Sequence, residues 1–256
     1  MRAKKSLGQN FLKSEMALHK IIEAGEVTPR DVILEIGPGK GALTSKLLEK
    51  AGKVIAVEKD RELFDLLKTK FEKEISSGKL NLINDDILKF NTSAQSLGPR
   101  AYKIIANIPY NITGAILKKF LTAENQPSLM VLMVQNEVAQ RIVTRDGKES
   151  ILSISVKAYG EPKMVMKVGK RYFSPAPKVD SAIISIKNIS RQFFEKNNIN
   201  EGNFWEIIRA GFAHKRKKLS SNLKILQKNE KFGLLEDLGN KRAEDLALSD
   251  WIPLVL

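Results

Sequence analysis

The chain reads as an α/β protein, with one mainly parallel central sheet and a small all-α appendage after it. Three observations predict this. Short apolar runs alternate with amphipathic helical stretches through the first three quarters, a glycine-rich turn follows the first such run, and strand patterning stops near Asn188. At 256 residues the chain has room for one medium catalytic domain and an addition, so a single active site is expected.

In chain order, residues 32–36, 54–57, 80–83, 103–106 and 129–134 read as buried strands, because each is a short run dominated by apolar residues. Amphipathic helices over 43–50 and 62–75 fill two of the intervals. Residues 164–168 and 182–186 form a late pair. The segment 172–177 between them is too short for a crossover helix, so they are expected to pair antiparallel and bring the sheet to seven strands. Past Asn188, residues 203–226 read as one helix with Phe204, Ile207, Ile208, Gly211, Phe212 and Leu219 on one side. The expected domains are therefore 1–187 and 188–256.

Composition narrows the chemistry. Lys and Arg total 43 against 29 Asp and Glu, a net charge of +14 that favours a polyanionic partner, nucleic acid first. The absence of cysteine excludes disulfides, thiolate nucleophiles and cysteine-based zinc sites. With only His19 and His214, neither a histidine metal site nor a Ser-His-Asp triad is expected, and no metal is assigned. There is no apolar run of membrane-spanning length and no secretory signal pattern, so the expectation is a soluble cytoplasmic protein.

The turn Glu35-Ile36-Gly37-Pro38-Gly39-Lys40-Gly41 lets backbone approach a ligand without Cβ obstruction. A dinucleotide site spaces its glycines G-x-G-x-x-G around a pyrophosphate, whereas these run G-x-G-x-G behind an acid. That pattern favours S-adenosylmethionine, whose ammonium suits an acidic, carbonyl-rich loop and which has no phosphate to neutralise. Gly37 and Gly39 are placed at this cofactor. Glu58, at the end of the second strand, is placed to accept the ribose hydroxyls, and Asp86 to meet the adenine amino group with Ile87 against the ring. Taken alone, each acid also reads as a helix cap or a solvated turn residue, though less well.

Asn107-Ile108-Pro109-Tyr110 follows the fourth strand, at the carboxyl edge where α/β sheets bind ligands. An adenine amine is a poor nucleophile because its lone pair is delocalised into the ring. Two acceptors on its hydrogens localise that pair, and the Asn107 side-chain oxygen and the Pro109 carbonyl suit the task, with the Tyr110 ring stacked on the base. No titratable base is needed. Proline fixes the backbone, and Ile108 before it must be extended. Phe173 is a candidate to clamp the base opposite Tyr110, against the plainer reading of an aromatic packed beside a strand.

These residues resemble the KsgA family of ribosomal RNA adenine dimethyltransferases, almost end to end. The likeness rests on Ser6-Leu7-Gly8-Gln9-Asn10-Phe11-Leu12, the glycine turn, Val57-Glu58-Lys59-Asp60, Asn107 to Ile112, the block from Val134 to Arg141, the block from Tyr172 to Ala182, and Phe212 to Leu219. Ile108 and Asn136 stand where the family commonly has leucine and lysine. Neither change removes an essential hydrogen-bonding group. The resemblance implies a Rossmann-like class I methyltransferase fold, with Asn10, Leu12, Gly37, Glu58, Asp86 and Asn107 at the cofactor or its immediate pocket. It also implies dimethylation of two adjacent adenosines in a hairpin loop near the 3′ end of small-subunit rRNA, on the immature small ribosomal subunit, by a monomer.

Four of the five residues 214–218 are basic, and Lys215, Arg216, Lys217 and Lys218 are expected on a helix face that contacts RNA phosphates; a solvated basic helix is the plain alternative. Three competing functions stay open. They are a large-subunit rRNA methyltransferase of the Erm resistance type, a non-catalytic rRNA-binding assembly factor, and an organellar transcription factor of the same fold. The short lead to Leu7-Gly8-Gln9 is expected to leave no room for a transit peptide.

Overall fold

The structure, a computed structural model, describes residues 4, 7–91, 97, 101–144, 147–224 and 240–256. Nine strands are present among them: β1 (Phe11–Leu12), β2 (Val32–Ile36), β3 (Lys53–Glu58), β4 (Leu80–Asn84), β5 (Tyr102–Asn107), β6 (Leu129–Gln135), β7 (Glu161–Val168), β8 (Phe173–Ser174) and β9 (Ser181–Lys187). Seven of them form one sheet in the order β4-β3-β2-β5-β6-β9-β7. β4 through β6 run parallel, while β9 pairs antiparallel with both β6 and β7. All seven strands expected from the apolar runs are therefore in place, each extended by a residue or more except β2. For the inner strands the reason is burial on both faces, seen most clearly in β6, where Leu129 through Val134 are buried without a break, whereas the edge strands β4 and β7 are mostly half-buried or exposed.

Helices on the sheet start where their sequences cap them. In α1 (Glu15–Ala24) the Ser14 side chain accepts from Ala17 N–H, and Ala17, Leu18, Ile21 and Ile22 bury the inner face. α2 (Ala42–Lys50) begins at Gly41, and α3 (Arg61–Lys70) at Asp60, whose carboxylate accepts from Glu62 N–H. The single helix expected over 62–75 is instead two, α3 and α4 (Glu72–Ser76), broken at Phe71 with φ −114° and ψ 30°. Tertiary packing accounts for the break. Phe71 is buried, and its ring lies where a Cβ on Gly41 would come within 2.6 Å. β1 and β8 make a separate two-stranded pair, Leu12 opposite Phe173, that the apolar pattern did not announce because each strand is only two residues long.

The chain divides into two compact units, Met1–Ala139 with Glu161–Ile189, and Gln140–Gly160 with Ser190–Leu256. This division is discontinuous in sequence, unlike the single cut expected at 188. Aromatic packing explains why Gln140–Gly160 sorts with the later segment. The Tyr159 ring lies 5.3 Å from Phe194 and stacks at 6.2 Å on Trp205, whose indole N–H donates to the Tyr159 oxygen at 3.2 Å.

In the second unit the expected helix over 203–226 also breaks. Among the described residues it becomes Glu201–Gly211, an exposed turn, and Leu219–Leu223; positions 225 and 226 lie outside the described residues. Gly211 passes so close to Trp251 that a Cβ would sit 2.5 Å from its ring. Asn222 Nδ2 then donates to the Gly211 carbonyl at 2.6 Å and the His214 carbonyl at 3.1 Å, satisfying groups that a continuing helix would have used. Lys215, Arg216, Lys217 and Lys218 are consequently exposed on a turn, not on a helix face.

Candidate active site

The carboxyl ends of the parallel strands open onto a cavity of about 490 Å³. Nine of the residues singled out from the sequence line it: Asn10, Leu12, Gly37, Gly39, Glu58, Asp86, Asn107, Pro109 and Tyr110. They arrive from β1, the turn after β2, and the ends of β3, β4 and β5, so five separate stretches of sequence meet at one sheet edge. Phe173 is not among them. Its ring is 3% exposed within the apolar core beside Leu12, and a stacking role opposite Tyr110 would require it to leave that core. Lys215 to Lys218 belong to the other unit. Ser6 lies outside the described residues.

The glycine turn is held open by backbone and by charge. Gly39 adopts φ +62°, a left-handed conformation that favours glycine, and a Cβ there would crowd the Phe11 ring at 3.1 Å. Its N–H donates to Glu58 Oε2 at 3.0 Å, while Glu58 Oε1 accepts from Asp60 N–H at 2.8 Å. Glu58 thus ties the turn to the end of β3. Lys59 N–H is a further donor to this carboxylate, and the acceptor capacity that remains suits hydroxyls of a ligand. Burial pushes its carboxyl above the usual range, and the amide donors of Asp60, Gly39 and Lys59 work against that. Asp86 is more exposed, with Lys59 at 2.9 Å holding its carboxyl low and Leu88 N–H donating to Oδ1 at 3.0 Å. Ile87 is buried and lines the wall beside it.

Asn107 sits where the cavity meets the Asn-Ile-Pro-Tyr turn. Its Nδ2 donates to the Asn10 carbonyl at 3.1 Å, and because that carbonyl can only accept, the amide oxygen is the end left for a substrate donor. The Pro109 carbonyl accepts only a long bond, from Ile112 N–H at 3.3 Å, and keeps its second lone pair. The Tyr110 backbone is fixed by Thr113 Oγ1, which donates to its carbonyl at 3.1 Å.

One group was noted in the sequence only as part of the loop, Glu35. It is 1% exposed, lines the cavity, and its Oε2 meets no hydrogen-bond partner among the described residues. Burial, reinforced by the Glu58 carboxylate, pushes its pKa up to about 8. A buried carboxyl left without a partner in a cavity calls for one, and the ammonium of S-adenosylmethionine would pair with its ionised form and draw the raised pKa back down. The glycine turn, the orphan acid and the strand-end acids together fit that cofactor. Its place in the sequence, last polar residue of β2 before the turn, was the available signal.

The sheet order, the antiparallel terminal strand pair and the cavity over the glycine turn define a Rossmann-like class I S-adenosylmethionine-dependent methyltransferase. Solved structures agree: a dimethyladenosine transferase from Plasmodium falciparum has a TM-score of 0.80 and 29% identity, with 95% of each chain covered. The 23S rRNA methyltransferase ErmE has a TM-score of 0.76 and 25% identity, covering 96% of this chain and 98% of its own. The sequence profile of the family described as "Ribosomal RNA adenine dimethylase" matches residues 1–255. Relatives named "Ribosomal RNA small subunit methyltransferase A" are 40% identical in Dehalococcoides mccartyi, covering 100% of this chain and 88% of the relative, and 38% identical in Fusobacterium nucleatum, covering 98% and 96%. The chain belongs to the ribosomal RNA adenine dimethylase family and is an S-adenosylmethionine-dependent rRNA adenine dimethyltransferase. Among the described residues no helix is long and apolar enough to cross a membrane.

Proposed function

We propose that this enzyme dimethylates the N6 amine of two adjacent adenosines in a hairpin loop near the 3′ end of small-subunit rRNA. The substrate in this reading is the immature small subunit, met during assembly in the cytoplasm by a monomer. The observation that carries the chemistry is the Asn107 amide, anchored through its nitrogen on Asn10 with its oxygen end free, beside the Pro109 carbonyl and the Tyr110 ring. S-adenosylmethionine supplies the electrophilic methyl group. Asn107 Oδ1 and Pro109 O accept the two amine hydrogens and draw the nitrogen lone pair out of the ring. Tyr110 holds the base by stacking. Glu58, Asp86 and the glycine turn hold the cofactor, Asn10 and Leu12 wall its pocket, and Lys215, Arg216, Lys217 and Lys218 bind rRNA phosphates from the second unit.

The names of the relatives support the small subunit as target. The likeness to ErmE supports a second reading, a large-subunit target. The deciding experiment supplies labelled cofactor and purified enzyme to small and large subunits from a strain lacking the endogenous enzyme, and maps the modified bases. Label at two adjacent adenosines of small-subunit rRNA is expected. Label confined to large-subunit rRNA would replace the proposal with the second reading.

A further inference from the structure

We propose that Ser181 is a positioning residue for catalysis, acting by anchoring the phenol of Tyr110. The inference rests on the stacking role given to Tyr110 above. Ser181 belongs to the Tyr172 to Ala182 block, of which Ser174 lines the cavity, and it does not line the cavity itself. Its Oγ and the Tyr110 hydroxyl share a hydrogen bond. The serine is fully buried at the first position of β9, where its backbone is set by pairing with Gln135 of β6 and Val168 of β7. Its position is therefore dictated by three strands, and it offers a rigid anchor.

Tyr110 needs such an anchor. It begins a single 3₁₀ turn, Tyr110–Ile112, with Thr113 bonded to its backbone carbonyl but nothing in that turn restraining its ring. The ring torsion of tyrosine is broad, so backbone placement alone does not fix the plane presented to a base. A bond at the far oxygen helps to do so: it fixes the direction of the ring axis, and because the phenol O–H prefers to lie in the ring plane, a partner held to one side of the oxygen favours one orientation of that plane. The phenol is protonated at neutral pH in any case, and burial raises its pKa further against the opposing bond to Ser181.

A double-mutant cycle with Ser181→Ala and Tyr110→Phe tests the assignment, reading single-turnover methylation of small subunits, cofactor affinity and thermal unfolding. Each single variant is expected to slow methyl transfer roughly three- to tenfold, the rate equivalent of one neutral hydrogen bond, with cofactor affinity unchanged. The double variant should be no slower than either single one, because both remove the same bond. Losses that multiply in the double variant, or wild-type rates for Ser181→Ala, would overturn it, as would a Ser181→Ala loss explained by lowered stability that persists undiminished in the Tyr110→Phe background. Wild-type enzyme inactive on small subunits overturns the proposed target instead, so the two failures are distinguishable.

Discussion

Asn107 shows how much one side chain decides at this site. Its nitrogen is committed to Asn10 O, so substitution by alanine removes both the wall contact and the acceptor for the amine. Asn107→Ala is expected to retain cofactor binding and lose methyl transfer by roughly 2.7–4 kcal/mol of barrier, the usual cost of one preorganised acceptor or donor. Near-normal single-turnover rates would refute the role. Glu35 gives a pH signature. With its pKa lifted from 4.5 to about 8, the folded protein binds a proton there that the unfolded chain has already lost between those values. Stability from this group is present below about pH 4.5 and falls as pH rises toward 8. Urea unfolding from pH 5 to pH 9 should therefore show wild type losing stability relative to Glu35→Gln over that window; a constant difference would show the carboxyl to be ionised throughout. The position of Glu35 was legible in the sequence. Its missing partner was not, since that depends on what β3 and the glycine turn leave uncovered.

At the scale of elements, the basic turn is the clearest case. The apolar stripe from Phe204 to Phe212 has helical spacing and resumes at Leu219, with Gly211, a weak helix former, and the basic residues 215–218 between. What stops the helix is long-range. Trp251 packs on Gly211 and Asn222 takes two carbonyls, leaving Lys215, Arg216, Lys217 and Lys218 exposed on a turn. If these cations meet phosphates, replacing all four with Gln should weaken rRNA binding and flatten its dependence on salt, since fewer counterions are released. Cofactor affinity and circular dichroism should not change. An unaltered slope would return the cluster to plain solvation. The break at Phe71 follows the same logic, because a buried ring packed under Gly41 outweighs helical continuity.

At the scale of the molecule, the second unit is built from two separated stretches of chain. Tyr159, from the earlier stretch, has Phe194, Glu201 and Trp205 of the later one as partners, and Glu149 N–H donates to the Glu244 carbonyl at 2.7 Å. A truncation after Ile189 should therefore not yield a clean catalytic domain. It strips the aromatic and hydrogen-bonding partners from the buried Tyr159. Such a protein is expected to bind hydrophobic dye and to unfold at a lower temperature than full-length enzyme. A truncated form with sharp unfolding and no dye binding would show that Gln140–Gly160 folds without Ser190–Leu256.

By itself the sequence determined the sheet, its seven strands, the antiparallel closing pair and seven residues around the cavity, while Asn10 and Leu12 came only from the family resemblance. Those features are legible because buried strands and glycine turns are local patterns, and because ligand sites of α/β sheets gather at strand carboxyl ends. The tertiary structure alone decided that Phe173 packs into the core, that the helix stops at Gly211, that Gln140–Gly160 joins the second unit, and that Ser181 reaches Tyr110. Each of these is a contact between residues far apart in the chain, where close packing and hydrogen-bond satisfaction override local propensity.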